Sequence, residues 1–292
     1  MKTVGYPTTH RHSIKISGPK LRIIPVGDIH YESRLFCRKY WTDFIHRAKS
    51  LVESGEDVYF FLMGDYIDGT STSERAALRS ANLHETTTDT LDDTYKGIVK
   101  QLSNELKFMK GRVIGAIGGN HYHAFQSGDT SDNMLCRELG CAFLGCTSFV
   151  NINIQSSKAK SLHTTLDIVA NHGQGGGKRV GSTFNTLEDF GAWVPAADIV
   201  LMGHDHKRGV VPSMPSIFYN TRGKHVELRE HIQYYGRTGS FLRSYVHGER
   251  SYNADACRRP VNLGWIEFEI ELAHTKTGTG AGTVTKRIRG IA

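Results

Sequence analysis

The chain has 292 residues, 39% of them hydrophobic, which is enough to bury a sizeable core as one large domain or two small ones. Residues 1–20 are polar and carry no apolar signal segment, and no apolar run approaches the ~18 residues of a membrane helix, so a soluble, cytoplasmic protein is expected. The formal net charge of +7 fits an anionic partner, nucleic acid above all, though a soluble surface with a modest surplus of Lys and Arg fits it too.

In chain order, residues 21–26 read as a strand and 38–54 as a helix. Residues 58–63 form an almost continuous apolar run, the mark of a strand covered on both faces. A polar stretch rich in Thr and Ser follows. Its part 70–90, holding Arg75, Arg79 and His84, is too long for a passive connection and reads either as a lid over a cleft or as a disordered segment. Tyr95, Ile98, Val99, Leu102, Leu106 and Met109 mark one face of an amphipathic helix. Residues 112–117, 143–154, 166–170 and 199–202 supply strands, with short helices at 132–139 and 184–190. This alternation indicates α/β layering. Beyond Lys207 the strand-like segments 210–211, 227–235, 240–246 and 261–272 dominate, before a Gly/Thr tract and a basic tail over 275–292. With no internal repeat and no clear linker, a single domain over 1–292 is expected. Its core spans about 21–207, and a β-rich part, about 208–272, packs on that core.

Five short clusters punctuate this frame: Gly27-Asp28-Ile29-His30, Gly64-Asp65-Tyr66-Ile67-Asp68, Gly119-Asn120-His121, Asn171-His172-Gly173 and Gly203-His204-Asp205-His206. Each follows an apolar strand-like run directly or nearly so. Asp28 and His30 alternate along a strand end and can point to one side of the sheet, as can His204 and His206 with Asp205 turned away. Ligands gather at the carboxyl ends of strands in open α/β sheets, so Asp28, His30, Asp65, Asn120, His172, His204 and His206 are expected to converge on one cleft. Four imidazoles, two carboxylates and an amide oxygen suit Mn, Fe, Zn or Ni rather than Ca or Mg. Seven ligands exceed what one ion with an open position needs. Two divalent transition-metal ions bridged by a carboxylate fit better, with Mn the first expectation, and such a pair is a device for in-line phosphoryl displacement.

The ordered set DxH, GDxxD, GNH, HG and GHxH resembles the calcineurin-like metallophosphoesterase family over residues 21–207. The resemblance implies an α/β fold with a two-sheet β-sandwich flanked by helices in four layers. It implies Asp28, His30 and His206 on one ion, Asn120, His172 and His204 on the other, and Asp65 bridging. It further implies attack on phosphorus by a metal-held hydroxide. His121 would stand outside the metals as the catalytic residue, stabilising the phosphoryl oxygens or protonating the leaving oxygen. One departure stands out: members of the family usually carry Asp or Glu after GNH, where it orients the histidine, and here Tyr122 and His123 follow. Either a carboxylate from elsewhere takes over, or His121 is a weaker acid–base group than usual. Asp68 supports a ligand on one reading and turns the chain ahead of Gly69 on the other.

Gly173-Gln174-Gly175-Gly176-Gly177-Lys178-Arg179 fails the P-loop template, because Arg179 replaces Ser/Thr and His172 stands where the first Gly belongs. It reads as a loop at the cleft whose Lys178 and Arg179, together with His123, Lys207 and Arg208, are candidate contacts to substrate phosphates. The arginines and aromatics interleaved over 229–259 suit either a single-stranded nucleic-acid surface or, the favoured reading, a β-layer with its aromatics inward. Five cysteines without a CxxC pair are expected to be buried, reduced thiols. The expected function is a dinuclear metal-dependent hydrolase of phosphate esters, most readily a phosphodiesterase or nuclease acting on nucleic acid or nucleotides. A phosphomonoesterase for a phosphoprotein or small molecule is the alternative. A metal-free protein-binding scaffold is disfavoured because all seven candidate ligands are present.

Overall fold

A computed structural model describes residues 7–81, 84–157, 163–175, 177–222, 225–276 and 282–292. Strand β1 (Thr8–Ile16) lies in the start read above only as polar. Its alternation is strand-like after all, with His10, His12, Ile14 and Ile16 on the more buried face and Arg11, Ser13 and Lys15 exposed on the other. Next come β2 (Lys20–Val26), α1 (Arg38–Glu53), β3 (Val58–Leu62), α2 (Thr72–Ser80) and α3 (Glu85–Glu105). They are followed by β4 (Val113–Ala116), α4 (Ser131–Leu139), β5 (Thr147–Ser156), β6 (His163–Asn171), α5 (Val180–Gly191) and β7 (Ile199–Met202). The remainder comprises β8 (Arg208–Pro212), β9 (Ser216–Arg222), β10 (His225–His231), β11 (Tyr234–Thr238), α6 (Tyr252–Asp255), β12 (Glu267–Lys276) and β13 (Gly282–Ile291).

The fold is mixed α/β with two main sheets. One has strand order β1-β5-β6-β7-β11-β8 and the other β13-β12-β2-β3-β4; β9 and β10 form a separate hairpin. The facing sheets enclose a core that includes Ile14, Leu21, Phe61, Ile152, Leu201 and Phe268. On the outer face of the five-stranded sheet, α1 and α3 cover a second core built on Trp41, Phe44, Phe60, Leu62 and Leu102. A third, smaller core sets Leu187 and Phe190 of α5 against Val169, Val200 and Tyr235 of the six-stranded sheet. Strand β3 therefore has both faces buried, as its apolar run requires. Among the described residues, no helix is long and apolar enough to cross a membrane.

Three expectations need correction. The 70–90 stretch is not disordered among its described residues: it folds as α2 and the first turns of α3. Ser71 and Glu74 close a reciprocal capping box at the start of α2. Residues 227–235 are not one strand. Ser213 and Gln233 exchange hydrogen bonds at the foot of the hairpin, ending β10 and sending β11 into the six-stranded sheet. Residues 240–246 form an irregular segment with isolated bridges at Ser240 and Leu242. The C-terminal strands also do more than pack on the core: β8 and β11 extend one sheet, and β12 and β13 extend the other.

That irregular segment ties the outer helix layer to the strand ends. Phe241 is buried among Trp41 and Phe44. Its N–H donates to the Asp28 carbonyl at 3.1 Å, and its own carbonyl accepts from the Cys37 N–H at 2.7 Å. Phe241→Ala should cost about 3–5 kcal/mol of stability, as expected for emptying an aromatic core position. Chemical denaturation of the purified variant checks this, and a loss below about 1 kcal/mol would show that the segment is not a structural tie.

Candidate metal centre

Strands β2, β3 and β4 run parallel and end side by side, and β6 and β7 do the same in the facing sheet. All five motifs begin within a few residues of those ends. The side chains are not aimed by pleat alternation, however, as the sequence reading supposed. Asp28, His30, Asp65, His204 and His206 all have left-handed backbone, with φ of 45°, 47°, 49°, 69° and 59°. For residues bearing a Cβ, such a conformation costs on the order of 1–2 kcal/mol each and persists only where surrounding bonds over-determine it. Here Asp28 N–H donates to the Gly64 carbonyl, Ile29 and His30 donate to the Asp65 carbonyl, and Gly203 N–H donates to the His172 carbonyl. Two motif glycines are demanded by close approach. A Cβ on Gly119 would lie 2.0 Å from Asp65 Oδ1, and one on Gly203 would lie 2.6 Å from Asp28 Oδ2.

The seven residues come together in two groups. Asp28, His30 and His206 bring one ligand atom each within 4.8 Å of one another, and Asp65, His172 and His204 do likewise. Asn120 joins the second group, its Oδ1 lying 2.7 Å from His204 Nδ1 and 3.2 Å from His172 Nε2. Asp65 lies between the groups, with Oδ2 3.1 Å from His172 Nε2 and 3.7 Å from His30 Nε2. The donor chemistry fits divalent cations. His172 Nδ1 sits 2.8 Å from the Met63 carbonyl, so that nitrogen carries the proton and Nε2 turns its lone pair toward two oxygen acceptors. His30 Nε2 faces His206 Nε2 at 3.3 Å while its own Nδ1 is held 3.2 Å from Asp68. Acceptors converging on acceptors call for positive charge between them.

Electrostatics agree. Burial pushes the Asp28 carboxyl up to about 7. His172 goes up to about 9 against the opposing effect of burial, because the Asp65 carboxylate holds its imidazolium. Burial and the neighbouring His30 push His206 well down. Without a cation the cluster thus needs protons, and cation binding would release them.

Asp68 is a support rather than a turn residue alone, since it carries His30 from behind. The vacancy left by Tyr122 is met by the backbone: His121 Nδ1 lies 3.2 Å from the Gly69 carbonyl, with Asp68 Oδ1 at 3.9 Å. His121 donates its backbone N–H to Asp65 Oδ1 at 2.7 Å, and its ring packs edge-on to His30. Tyr122 instead lies beneath the Arg75 guanidinium at 3.7 Å. That guanidinium also donates to the carbonyls of Thr70, Asn120 and Tyr122, so α2 clamps the GNH loop. Arg79's side chain is outside the described residues.

Two proposed substrate contacts do not hold. His123 is buried, with Nε2 2.6 Å from Asp92 and its ring stacked on Tyr95, so it ties α3 to the loop. Lys207 spends its ammonium on Thr183 Oγ1 and the Gly177 and Arg179 carbonyls. Arg208 is half-buried where its chain crosses Gly239 and Gly264; Lys178 and Arg179 are exposed. The expected burial of every cysteine also fails, because Cys146 and Cys257 are exposed. Sequence reasoning missed Arg237, buried and bonded to the Gly203 and Thr183 carbonyls beside Asp205. It missed Asp132 as well, whose Oδ2 accepts from the Gly119 N–H. Neither carries a local signal. Beside Asn120 and His172 opens a cavity of about 520 Å³ walled by Asp189, Phe190 and Trp193.

The model of the family described as calcineurin-like phosphoesterase matches residues 21–208. Among curated proteins, none matches the chain. Solved structures similar to it include Vps29 from Chaetomium thermophilum, at 11% identity and TM-score 0.33, covering 94% of this chain and 97% of that one. A zinc complex of Vps29 from Entamoeba histolytica shows 11% identity and TM-score 0.38, with 92% and 99% covered. Plasmodium GAP50 shows 10% identity and TM-score 0.41, with 94% and 90% covered.

Burial, followed by the charge of Asp65, pushes Asp132 up to about 7. The folded-state value exceeds the unfolded one of 3.8, so the cost of ionising this group grows as pH rises from about 4 to about 7 and is constant above. In metal-free protein, Asp132→Asn should therefore raise the melting temperature at pH 8, by the equivalent of up to about 4 kcal/mol, and leave it nearly unchanged at pH 4. Melting curves at the two pH values decide it; equal shifts at both would remove ionisation as the cause.

Proposed function

The chain belongs to the calcineurin-like phosphoesterase family, and on that premise we propose that it hydrolyses phosphate esters with two divalent transition-metal ions, Mn foremost. Asp28, His30 and His206 would hold one ion, Asn120, His172 and His204 would hold the other, and Asp65 would be shared between the two groups. The observation that carries this reading is the position of Asp65, a buried carboxylate with a single oxygen 3.1 Å from one group's histidine and 3.7 Å from the other's. The ions would supply Lewis acidity at the phosphoryl oxygens and a water of lowered pKa.

The protein's own side chains do the rest. Met63, through its carbonyl, and Asp68, through its carboxylate, fix the tautomers of His172 and His30 so that lone pairs face inward. Arg237 and Asp205 hold the loop that presents His204 and His206. His121 stands at the rim, partly exposed and oriented by the Gly69 carbonyl, where it can donate a proton to a departing ester oxygen.

A diester rather than a monoester is the preferred substrate. The cavity beside Asn120 and His172 is large for a bare phosphate, and it ends on Trp193, whose exposed ring offers a stacking surface for a base. Comparing a bis-ester with a mono-ester chromogenic substrate in Mn²⁺ tests the preference. Cleavage of the mono-ester alone would establish the phosphomonoesterase instead.

Asp65→Ala should abolish turnover and lower the bound metal measured by elemental analysis; retained stoichiometry at both positions would exclude a bridging role. His121→Ala should keep its metal and lose ~10²–10⁴-fold in kcat. A full rate would make His121 dispensable.

A further inference from the structure

A second hollow, about 560 Å³ in volume, is lined in part by the end of the glycine loop. Lys178 and Arg179 of the loop, Lys207 and Arg208 at the start of β8, and Arg258 and Arg259 after α6 all line it. Among the described residues, the single carboxylate in its wall is Asp205, already engaged by Thr183, the Lys207 backbone and Arg237. Six cations thus stand beside one committed anion, and of the six the Lys207 ammonium is itself held by Thr183 and the Gly177 and Arg179 carbonyls. Among the described residues, no carboxylate pairs with Lys178, Arg179, Arg258 or Arg259. Like charges crowded this way repel one another. Arg258 Nε is also buried with no hydrogen-bond partner. A guanidinium N–H left unpaired costs about 1–3 kcal/mol unless a ligand satisfies it.

The hollow adjoins the metal centre, since Lys207 and Arg208 follow His206 by one and two residues. Next to two of its lining residues, Asn253 and Arg258, stands an aromatic side chain. Tyr252 on α6 is exposed, and Arg258 stacks on one face of its ring at 4.8 Å while donating to its hydroxyl at 3.0 Å. A repulsive cationic trough with an unpaired N–H, beside a free aromatic face, matches the chemistry of a strand of phosphodiesters with unstacked bases.

We propose that this trough binds single-stranded nucleic acid next to the scissile phosphate, so that the substrate is a polynucleotide rather than a mononucleotide or cyclic dinucleotide. The proposal rests on the hydrolase reading for what happens at the metals, but strand binding can be measured without them. Arg258 and Arg259 take the flanking phosphates and Tyr252 stacks a base. The favoured reading of the arginine-rich third as a β-layer with its aromatics inward holds for Tyr235 and Phe241, which are buried, and not for Tyr252, which is exposed at this edge.

The test uses the full chain, wild type and Arg258→Ala/Arg259→Ala, and a fluorescent single-stranded oligonucleotide of about 12 nucleotides, a length within the usual range of strand sites. Binding is followed by anisotropy in EDTA over a salt series. Turnover of a bis-ester chromogenic substrate in Mn²⁺ reports that the variant is folded and loaded. The double variant should lose at least ~10-fold in oligonucleotide affinity and about 1.4 in the slope of log K against log salt, with bis-ester turnover unchanged. Equal binding by both proteins, no binding by the wild type, or tighter binding of duplex than of single strand would each overturn the proposal. If the wild type cleaves the bis-ester but binds no strand, the trough fails and the hydrolase reading survives. If it binds the strand but cleaves no ester in Mn²⁺, the hydrolase reading fails and the trough survives.

Discussion

Everything in this molecule bears on one carboxylate withdrawn from water. Asp65 is 1% exposed, and around it stand His30, His121, His172 and the GNH loop. A buried charge of this kind is tolerable only when paired, and its partners arrive from both sheets. Strand β3 delivers Asp65 itself, β2 delivers Asp28 and His30, and β4 leads to Asn120 and His121. From the facing sheet, β6 and β7 lead to His172, His204 and His206. The two sheets must therefore meet at one end with their strand ends in register, which is what their shared apolar core enforces.

The centre is also strained. Left-handed backbone at Asp28, His30, Asp65, His204 and His206 opposes the preferences of those residues, and the hydrogen bonds between neighbouring loops hold it. Strain of this sort leaves little freedom: a side chain at Gly119 or Gly203 would strike the carboxylates of Asp65 or Asp28. The glycines of the motifs exist for that clearance as much as for turning the chain. Support comes from further out as well, through Arg75 on α2, Phe241 on the irregular segment and the Asp205–Arg237 pair.

Much of this was legible in the chain, and the unread portions share physical causes. Apolar runs exposed β2, β3 and β7 because a strand buried on both faces needs them. β1 escaped because its one-sided burial leaves Arg11, Ser13 and Lys15 on the exposed face and puts His10 and His12 beside Ile14 and Ile16 on the other. The segment around α2 escaped because a short exposed helix needs no apolar stripe, only the Ser71–Glu74 cap. His123 was misjudged because its neighbour in sequence, His121, faces the cleft, while its own partner Asp92 lies 31 residues earlier on α3.

The sequence by itself determined which atoms are offered: carboxylates, imidazoles and an amide following strand-forming runs, and with them the family. Residue type and order suffice there, because ligand chemistry is a property of side chains and strand propensity is local. Only the tertiary structure decided how those atoms are aimed, through left-handed turns rather than a pleat, and what replaces the orienting carboxylate beside His121. It alone decided that Lys207 is spent internally while Arg258 is left facing a cationic hollow. Those outcomes depend on which distant groups burial brings within hydrogen-bond reach, and spacing along the chain carries no record of that.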